Sequence, residues 1–543
     1  MQPLARAGFA VWLCASAGTP LLACGDSGKQ SLPEGPPDAT SPDGSYATDG
    51  PIDAPADAPH DVTKGDAAPI VDAGGAGILL VGTIVTPDTT YDGEVLVQGD
   101  QIACAQPGTA CEARPGAASA VRVDTQGVIA PGLVDTHNHI LFDVHDETDW
   151  YPAMLYTNHN QWTVEDRYTK VLDTIQCLAS ETGKPTWCPS EYSGSGNNLR
   201  PELDKWGELK AVIAGTTSVV ALAGGDDAGY GSLARTIDTS DNGLALDQVY
   251  TSALFPPGSS ADGACSHVMD GSGKAYLIHC GEGLPTDSTA AGEFDALAAL
   301  TTTSPGCFVN KATTVTHGVA FTAAQFATMA QDGMKLTWSP QSNVSLYGTT
   351  ADIPTARAAG VLIALGPDWS MGGSVNMLDE MRFADSWDNA NWGDSLTSKD
   401  LVVMATENGA IVTSYGDRLG QIAEGYLADL FVVPKTGATP YDAILAAKPK
   451  DVRLTMVGGV ALYGDPALQT ARIGGPPCET LDVCGASKFL CVALASSTNK
   501  LNQTYAQIQS VLETAIEELD SIGHSEAGVP YTFAPIAPLT KCN

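Results

Sequence analysis

Short apolar runs separated by turn residues open the folded part of this chain. Ile78-Leu79-Leu80-Val81, Gly93-Glu94-Val95-Leu96-Val97 and Val121-Arg122-Val123 have the length and composition of strands. The same texture returns late, in Ala428-Asp429-Leu430-Phe431-Val432-Val433 and in Arg453-Leu454-Thr455-Met456-Val457. Between these regions strand-like runs at 217–222, 249–254, 275–278, 313–316 and 361–365 alternate with helical stretches. That alternation predicts an α/β fold, either a (β/α)8 barrel or a doubly wound open sheet. Near the C-terminus Leu501, Tyr505, Ile508, Leu512, Ile516 and Leu519 recur at helical spacing. They predict an amphipathic helix that docks on its own domain.

Polar residues at the ends of the runs decide between the two folds. Leu133-Val134 leads into Asp135-Thr136-His137-Asn138-His139, and alternate residues of a strand share a face, so both imidazoles aim one way. Ile278 is followed by His279, Thr316 by His317, and Leu365-Gly366-Pro367 by Asp368. A single histidine of this kind is more often structural than functional, and a His-x-His pair alone is weak. Side chains suited to one divalent cation at successive strand ends are a different matter, because a (β/α)8 barrel carries its chemistry there. The pattern selects the barrel, a TIM barrel.

Composition adds a setting. The 543 residues are 43% hydrophobic and carry a net charge of −36, which excludes a nucleic-acid partner for want of a basic surface. Arg6 precedes an apolar stretch at 7–17, and then comes Leu21-Leu22-Ala23-Cys24. Residues 1–24 resemble a bacterial lipoprotein signal peptide, with Cys24 as the lipidated N-terminus; an ordinary secretory signal is the alternative. The next segment, 25–77, is an acidic Pro/Ala/Asp-rich linker too poor in apolar residues to fold. No later segment is apolar enough to span a bilayer. The expectation is an exported protein, lipid-anchored to a bacterial membrane and facing the periplasm or cell exterior.

Of the thirteen cysteines, eleven remain when Cys14 and Cys24 are set aside. Cys104 with Cys111, Cys177 with Cys188, and Cys478 with Cys484 lie close in sequence, as disulfides in an oxidising compartment would, though connectivity stays open. Cys280 is the expected odd one, and Cys478, Cys484, Cys491 and Cys542 are expected to staple the tail.

The motifs resemble the amidohydrolase superfamily over roughly residues 78–465. Pro131-Gly132-Leu133-Val134-Asp135-Thr136-His137-Asn138-His139 is similar to the first-strand signature of that superfamily. The segment from Gly420 to Leu430 is similar to its return into a small β-sandwich built from both chain ends. The resemblance implies a composite sandwich at 78–127 and 416–465, a barrel at 128–415 and a Cys-containing helical extension at 466–543. Within the superfamily, three segments resemble the mononuclear aminohydrolases, which include cytosine and guanine deaminases and triazine hydrolases. These are His279-Cys280-Gly281-Glu282, Ser339-Pro340-Gln341-Ser342-Asn343, and the run from Ala359 into Asp368. Pro367 and Trp369 flank the aspartate where that group has Thr and Gly, which leaves substrate identity open.

The resemblance implies that His137, His139, His279 and Asp368 hold one divalent ion, Zn²⁺ or alternatively Fe²⁺ or Mn²⁺. No lysine lies between Lys210 and Lys274 to bridge a second ion. His317 is implied to contact the attacking water, Glu282 to shuttle its proton to the leaving nitrogen, and Asp368 to accept a proton as well. The expected reaction is hydrolysis of a non-peptide carbon–nitrogen bond in a small molecule, by deamination of a heterocyclic amine or amidine. An imidazolonepropionase-like cyclic amidase and a catalytically inactive metal- or solute-binding lipoprotein are the alternatives. Trp150, Tyr151, Trp162, Trp338 and Trp369 fall near strand ends, and 158–162 is a polar, aromatic segment that suits a pocket wall.

Overall fold

The computed structural model describes residues 70–72, 77–194, 197–223, 233–238, 244, 248–471, 478–493, 502–527 and 531–542. The expected signal peptide, Cys24 and all of the expected linker except 70–72 and 77 lie outside them, as does Leu501.

Both ends of the chain build one mixed sheet of ten strands. Its seam is Val121–Pro131, parallel to Ile78–Val85 on one side and antiparallel to Leu430–Pro434 on the other. The strand pairing differs from the expected sandwich of two segments in two ways. Leu430–Pro434 pairs only with 127–131 of the seam, which leaves the start of that strand without a partner. Ile70–Asp72 fills the gap, so part of the segment expected to be linker is a strand. At the other edge the hairpin Glu479–Val483 and Ala486–Leu490 pairs with Val460–Gly464, so the tail contributes strands as well as a helix.

Eight short parallel strands follow the seam: β1 (Leu133–Asp135), β2 (Thr216–Val219), β3 (Arg235–Thr236), β4 (Val249–Ser252), β5 (Ala275–Cys280), β6 (Thr313–His317), β7 (Lys335–Trp338) and β8 (Leu362–Leu365). β1, β2 and β3 form one parallel sheet, and β4 to β8 another in consecutive order. β5 and β6 are buried along their whole length, as parallel strands covered on both faces are. The ends of β8 and β1 are adjacent: Asp368 N donates to His137 O at 2.9 Å, and His139 N to Asp368 O at 2.6 Å. Gly366 makes this approach possible, since a Cβ there would lie 2.7 Å from the backbone nitrogen of His137.

Three helices matter for the site: α1 (Asp166–Leu178), α2 (Arg200–Ile213) and α3 (Ser288–Ala298). The tail helix, Tyr505–Ala527, buries Ile508, Leu512, Ile516 and Leu519 and stacks Tyr505 on Trp206 of α2, so the expected self-docking is observed. Beyond it Tyr531 donates to Asp173 of α1 at 2.7 Å, and Ala537 N donates to Val144 O at 2.8 Å. The tail therefore braces the segment that follows β1. Five disulfides form, Cys104–Cys111, Cys177–Cys188, Cys265–Cys307, Cys478–Cys491 and Cys484–Cys542, and Cys280 is free and buried. Cys478 and Cys484, neighbours in sequence, are thus not partners.

Candidate active site

All six residues singled out for chemistry meet at the strand ends. His137 and His139 follow β1, His279 lies in β5, His317 ends β6, and Asp368 follows β8. His137 Nε2 lies 3.1 Å and His139 Nε2 3.6 Å from Asp368 Oδ1, while His139 Nε2 lies 3.2 Å from His279 Nε2. His317 and Asp368 hold φ near +75°, a left-handed backbone that non-glycine residues rarely adopt. Such conformations persist where the surrounding structure over-determines them, which is common at functional sites.

The donor set suits a borderline divalent cation. Burial pushes His137 down to about 3 and His139 to about 4, and holds His279 well below its ordinary value, so all three imidazoles are neutral and offer lone pairs. Burial raises the Asp368 carboxyl, while His139 and His279 draw it back. His137 Nε2 is buried without a hydrogen-bond partner, an orphan that a metal would satisfy. His279 Nδ1 lies 3.2 Å from the Ser252 carbonyl, which accepts its proton and leaves the Nε2 lone pair facing the cluster. Among the described residues every group of potential ligands draws on this one centre. Lys210 is buried in α2 against Ser370, Lys274 is exposed, and β4 contains no lysine.

A chain of hydrogen bonds fixes the tautomer of His317. The Trp338 indole can only donate, and it donates to Thr350 Oγ1 at 2.7 Å. Thr350 therefore gives its proton to Asn343 Oδ1 at 3.1 Å, which turns the Asn343 amide nitrogen toward His317 Nδ1 at 2.9 Å. Nδ1 accepts, so Nε2 carries the proton and points past Glu282 Oε2 at 3.9 Å. A protonated Nε2 donates to a water or a substrate; it does not ligate. Asn343→Asp reverses the chain, because a carboxylate demands a proton on Nδ1. This variant is expected to lose about 100-fold or more in kcat and to exchange the ¹⁵N shifts of the two His317 ring nitrogens. Unchanged shifts would refute the relay.

The same logic applies to Glu282. Trp162 Nε1 donates to Tyr347 OH at 3.0 Å, and Tyr347 donates to Glu282 Oε1 at 2.8 Å. Oε1 is thus an acceptor, and a proton on this carboxyl sits on Oε2. Burial pushes the group up to about 7; Asp368 and Glu293 also raise it, while His159 and Tyr347 oppose them.

Sequence reasoning did not assign His159, Glu293 or Tyr347. His159 Nε2 lies 3.0 Å from Glu293 Oε1, and its Nδ1 lies 3.9 Å from Glu282 Oε2. Burial alone would lower the His159 pKa, but Glu293, Glu282 and Asp287 outweigh it and raise it. The other oxygen of Glu293, on α3, accepts the backbone N–H of Gly281 at 2.6 Å and of Glu282 at 3.2 Å. Asn158 pairs with Gly283, and both Thr157 and Asn158 donate to Asp287, which clamps this segment to the end of β5. The polar character of 158–162 was the only signal for it in the sequence.

Of the five aromatics expected near the site, Trp150, Trp162 and Trp369 form one cluster with Phe142 and Tyr168, and Trp369 lies 5.7 Å from His139 between ring centres. Trp338 is buried in β7, where it sets the relay just described, and Tyr151 is exposed.

The Amidohydrolase family model matches residues 234–462. A 5-methylthioadenosine/S-adenosylhomocysteine deaminase of Desulfitobacterium hafniense (strain Y51) is 26% identical over 373 residues, covering 64% of this chain and 83% of that protein. Guanine deaminase from Bradyrhizobium japonicum superposes with a TM-score of 0.53 at 15% identity, covering 72% of this chain and 100% of its own. An adenosine deaminase from Xanthomonas campestris with bound zinc gives 0.50 at 16% identity, covering 72% and 93%. The structural neighbours speak for the fold. The family model and the curated relative show that the matched part of the chain is similar to the Amidohydrolase family.

Proposed function

We propose that this protein is a mononuclear metal-dependent deaminase of a heterocyclic amine or amidine, built on a closed (β/α)8 barrel. The coarser class, an enzyme hydrolysing a carbon–nitrogen bond other than a peptide bond, follows from the family model and the deaminase relatives. One observation carries the finer reading: three neutral imidazoles and Asp368 converge beside a carboxyl whose free oxygen faces the same point.

In this reading His137, His139, His279 and Asp368 hold one divalent ion, which supplies Lewis acidity and lowers the pKa of a water toward neutrality. Glu282 Oε2 takes a proton from the attacking water and delivers it to the leaving nitrogen. His317 Nε2–H donates to the water or to the developing oxyanion, and the Trp338–Thr350–Asn343 chain keeps it a donor. A pure binding protein needs neither a directed proton acceptor nor a fixed tautomer. A turnover screen of heterocyclic amines and lactams with ammonia detection tests the proposal. A ring-opened acid formed without ammonia would replace deamination by cyclic amide hydrolysis.

We also propose anchoring through Cys24, supported by Leu21-Leu22-Ala23-Cys24 and the acidic segment behind it. Each buried lipid CH₂ adds about 0.8 kcal/mol of membrane affinity, and a lipoprotein carries several chains. In its natural host the protein is expected to sediment with membranes, and Cys24→Ser to release it. Soluble wild-type protein would overturn the tether.

A further inference from the structure

The segments that follow the eight parallel strands share a composition that the chemistry above does not require. Over the described residues 136–165, 220–223, 233–234, 237–238, 253–257, 281–287, 318–322, 339–352 and 366–376, they contain ten Asp or Glu and no Lys or Arg. The cations that reach these segments from outside are engaged on them: Lys541 pairs with Glu147, and Arg200 donates to the Ala223 carbonyl. Lys210 donates to Ser370 Oγ at 3.1 Å, and Arg167 donates to Asp149 O at 2.7 Å and covers the Phe533 ring at 4.1 Å. Away from the metal cation and His159, an anionic substituent lying on these segments would meet carboxylates, and none of the segments' own residues is a lysine or arginine.

Two positive features accompany this. The centre opens past His139, whose side chain is 22% exposed against 2% for His137 and 5% for Asp368. Trp369 lies beside His139 as part of a buried aromatic wall. Outside the wall the rim is apolar as well. Of the seven large apolar side chains exposed among the described residues, five lie on these same segments: Tyr151, Met154, Leu155, Val164 and Leu254. The rim is tied to the centre, because Tyr156 N donates to Leu346 O at 2.8 Å beside Tyr347, the partner of Glu282.

We infer that the substrate is a planar amino-heterocycle without any anionic group, bearing an apolar substituent that lies on the Tyr151–Leu155 rim. The inference rests on the deaminase reading and narrows it. Aromatic walls favour flat rings, and their faces tolerate positive charge. A carboxylate held over this exposed, acidic rim would lower affinity by roughly tenfold, and a phenyl group covered by the rim would raise it about tenfold.

The test uses the full metal-loaded chain and diaminotriazines carrying a methyl, a phenyl, a para-trimethylammoniophenyl or a para-carboxyphenyl group, the last with its charge remote from the reacting amine. Turnover is read as ammonia release on wild type, and affinity by calorimetry on Glu282→Gln. The expected order places phenyl and trimethylammoniophenyl at least about tenfold above methyl, and carboxyphenyl about tenfold or more below phenyl. Equal or tighter binding of the carboxylate, equality of methyl and phenyl, or failure of every member to bind overturns the inference. Binding in the expected order without ammonia sinks deamination and leaves the inference standing. Ammonia release with the order reversed does the opposite.

Discussion

Metal-loaded Glu282→Gln is expected to keep close to one metal per chain and the native fold while kcat falls by about 10²–10⁴-fold. The replacement is nearly isosteric, and Gln Oε1 still accepts from Tyr347, so the packing around it survives. What changes is the second atom. Oε2, 3.9 Å from His317 Nε2, becomes an amide nitrogen that cannot take a proton. KM should move little, since the loss falls on proton transfer. Wild-type activity should fall as pH drops through the Glu282 pKa, because only the carboxylate can accept; burial places that pKa near 7 and a bound cation would draw the limb lower. The variant should lack this limb. Full metal loss would make Glu282 a ligand, as its place beside His279 and His317 permits, and undiminished kcat would remove it from the mechanism.

What the sequence revealed and what it withheld divide along a physical line. His137, His139, His279, His317 and Asp368 were legible because each lies at the end of an apolar run, where backbone periodicity alone fixes direction. β3 was not, since two residues make no pattern, and β7 was masked by its charged first residue. Tyr347, Glu293 and His159 reach Glu282 from three helices, the last a single clamped turn, through contacts that no local period encodes. Asn343 stood inside a recognised motif, yet its role depends on Thr350 and Trp338, and thus on donor direction across three side chains. Disulfide pairing in the tail could not be read from proximity for a similar reason. The hairpin register sets Glu479 opposite Leu490, which brings Cys478 to Cys491, while Cys484 at the turn is left to reach Cys542.

The metal itself is best tested at His139, not His137. His137 is buried among backbone and rings, and its truncation would open a cavity in the core, confusing loss of ligand with loss of fold. His139 is the most exposed of the four donors, so His139→Ala removes a lone pair at small structural cost. The variant is expected to purify with little metal and no measurable turnover, while keeping the far-UV spectrum and the cooperative unfolding of the metal-free wild type. Metal at about 100 times its dissociation constant stabilises the native state by roughly 2.7 kcal/mol, a rise of several degrees in Tm for wild type. His139→Ala should show almost none of that rise at the same concentration. Asn343→Asp serves as the contrast, because its relay touches His317 and not the cation, so the fold should hold. If His139→Ala binds one metal with wild-type affinity, the ligand set is wrong. If wild type binds two, the absence of a bridging lysine on β4 has been misread, and a second cation must be held by carboxylates or histidines of the same centre.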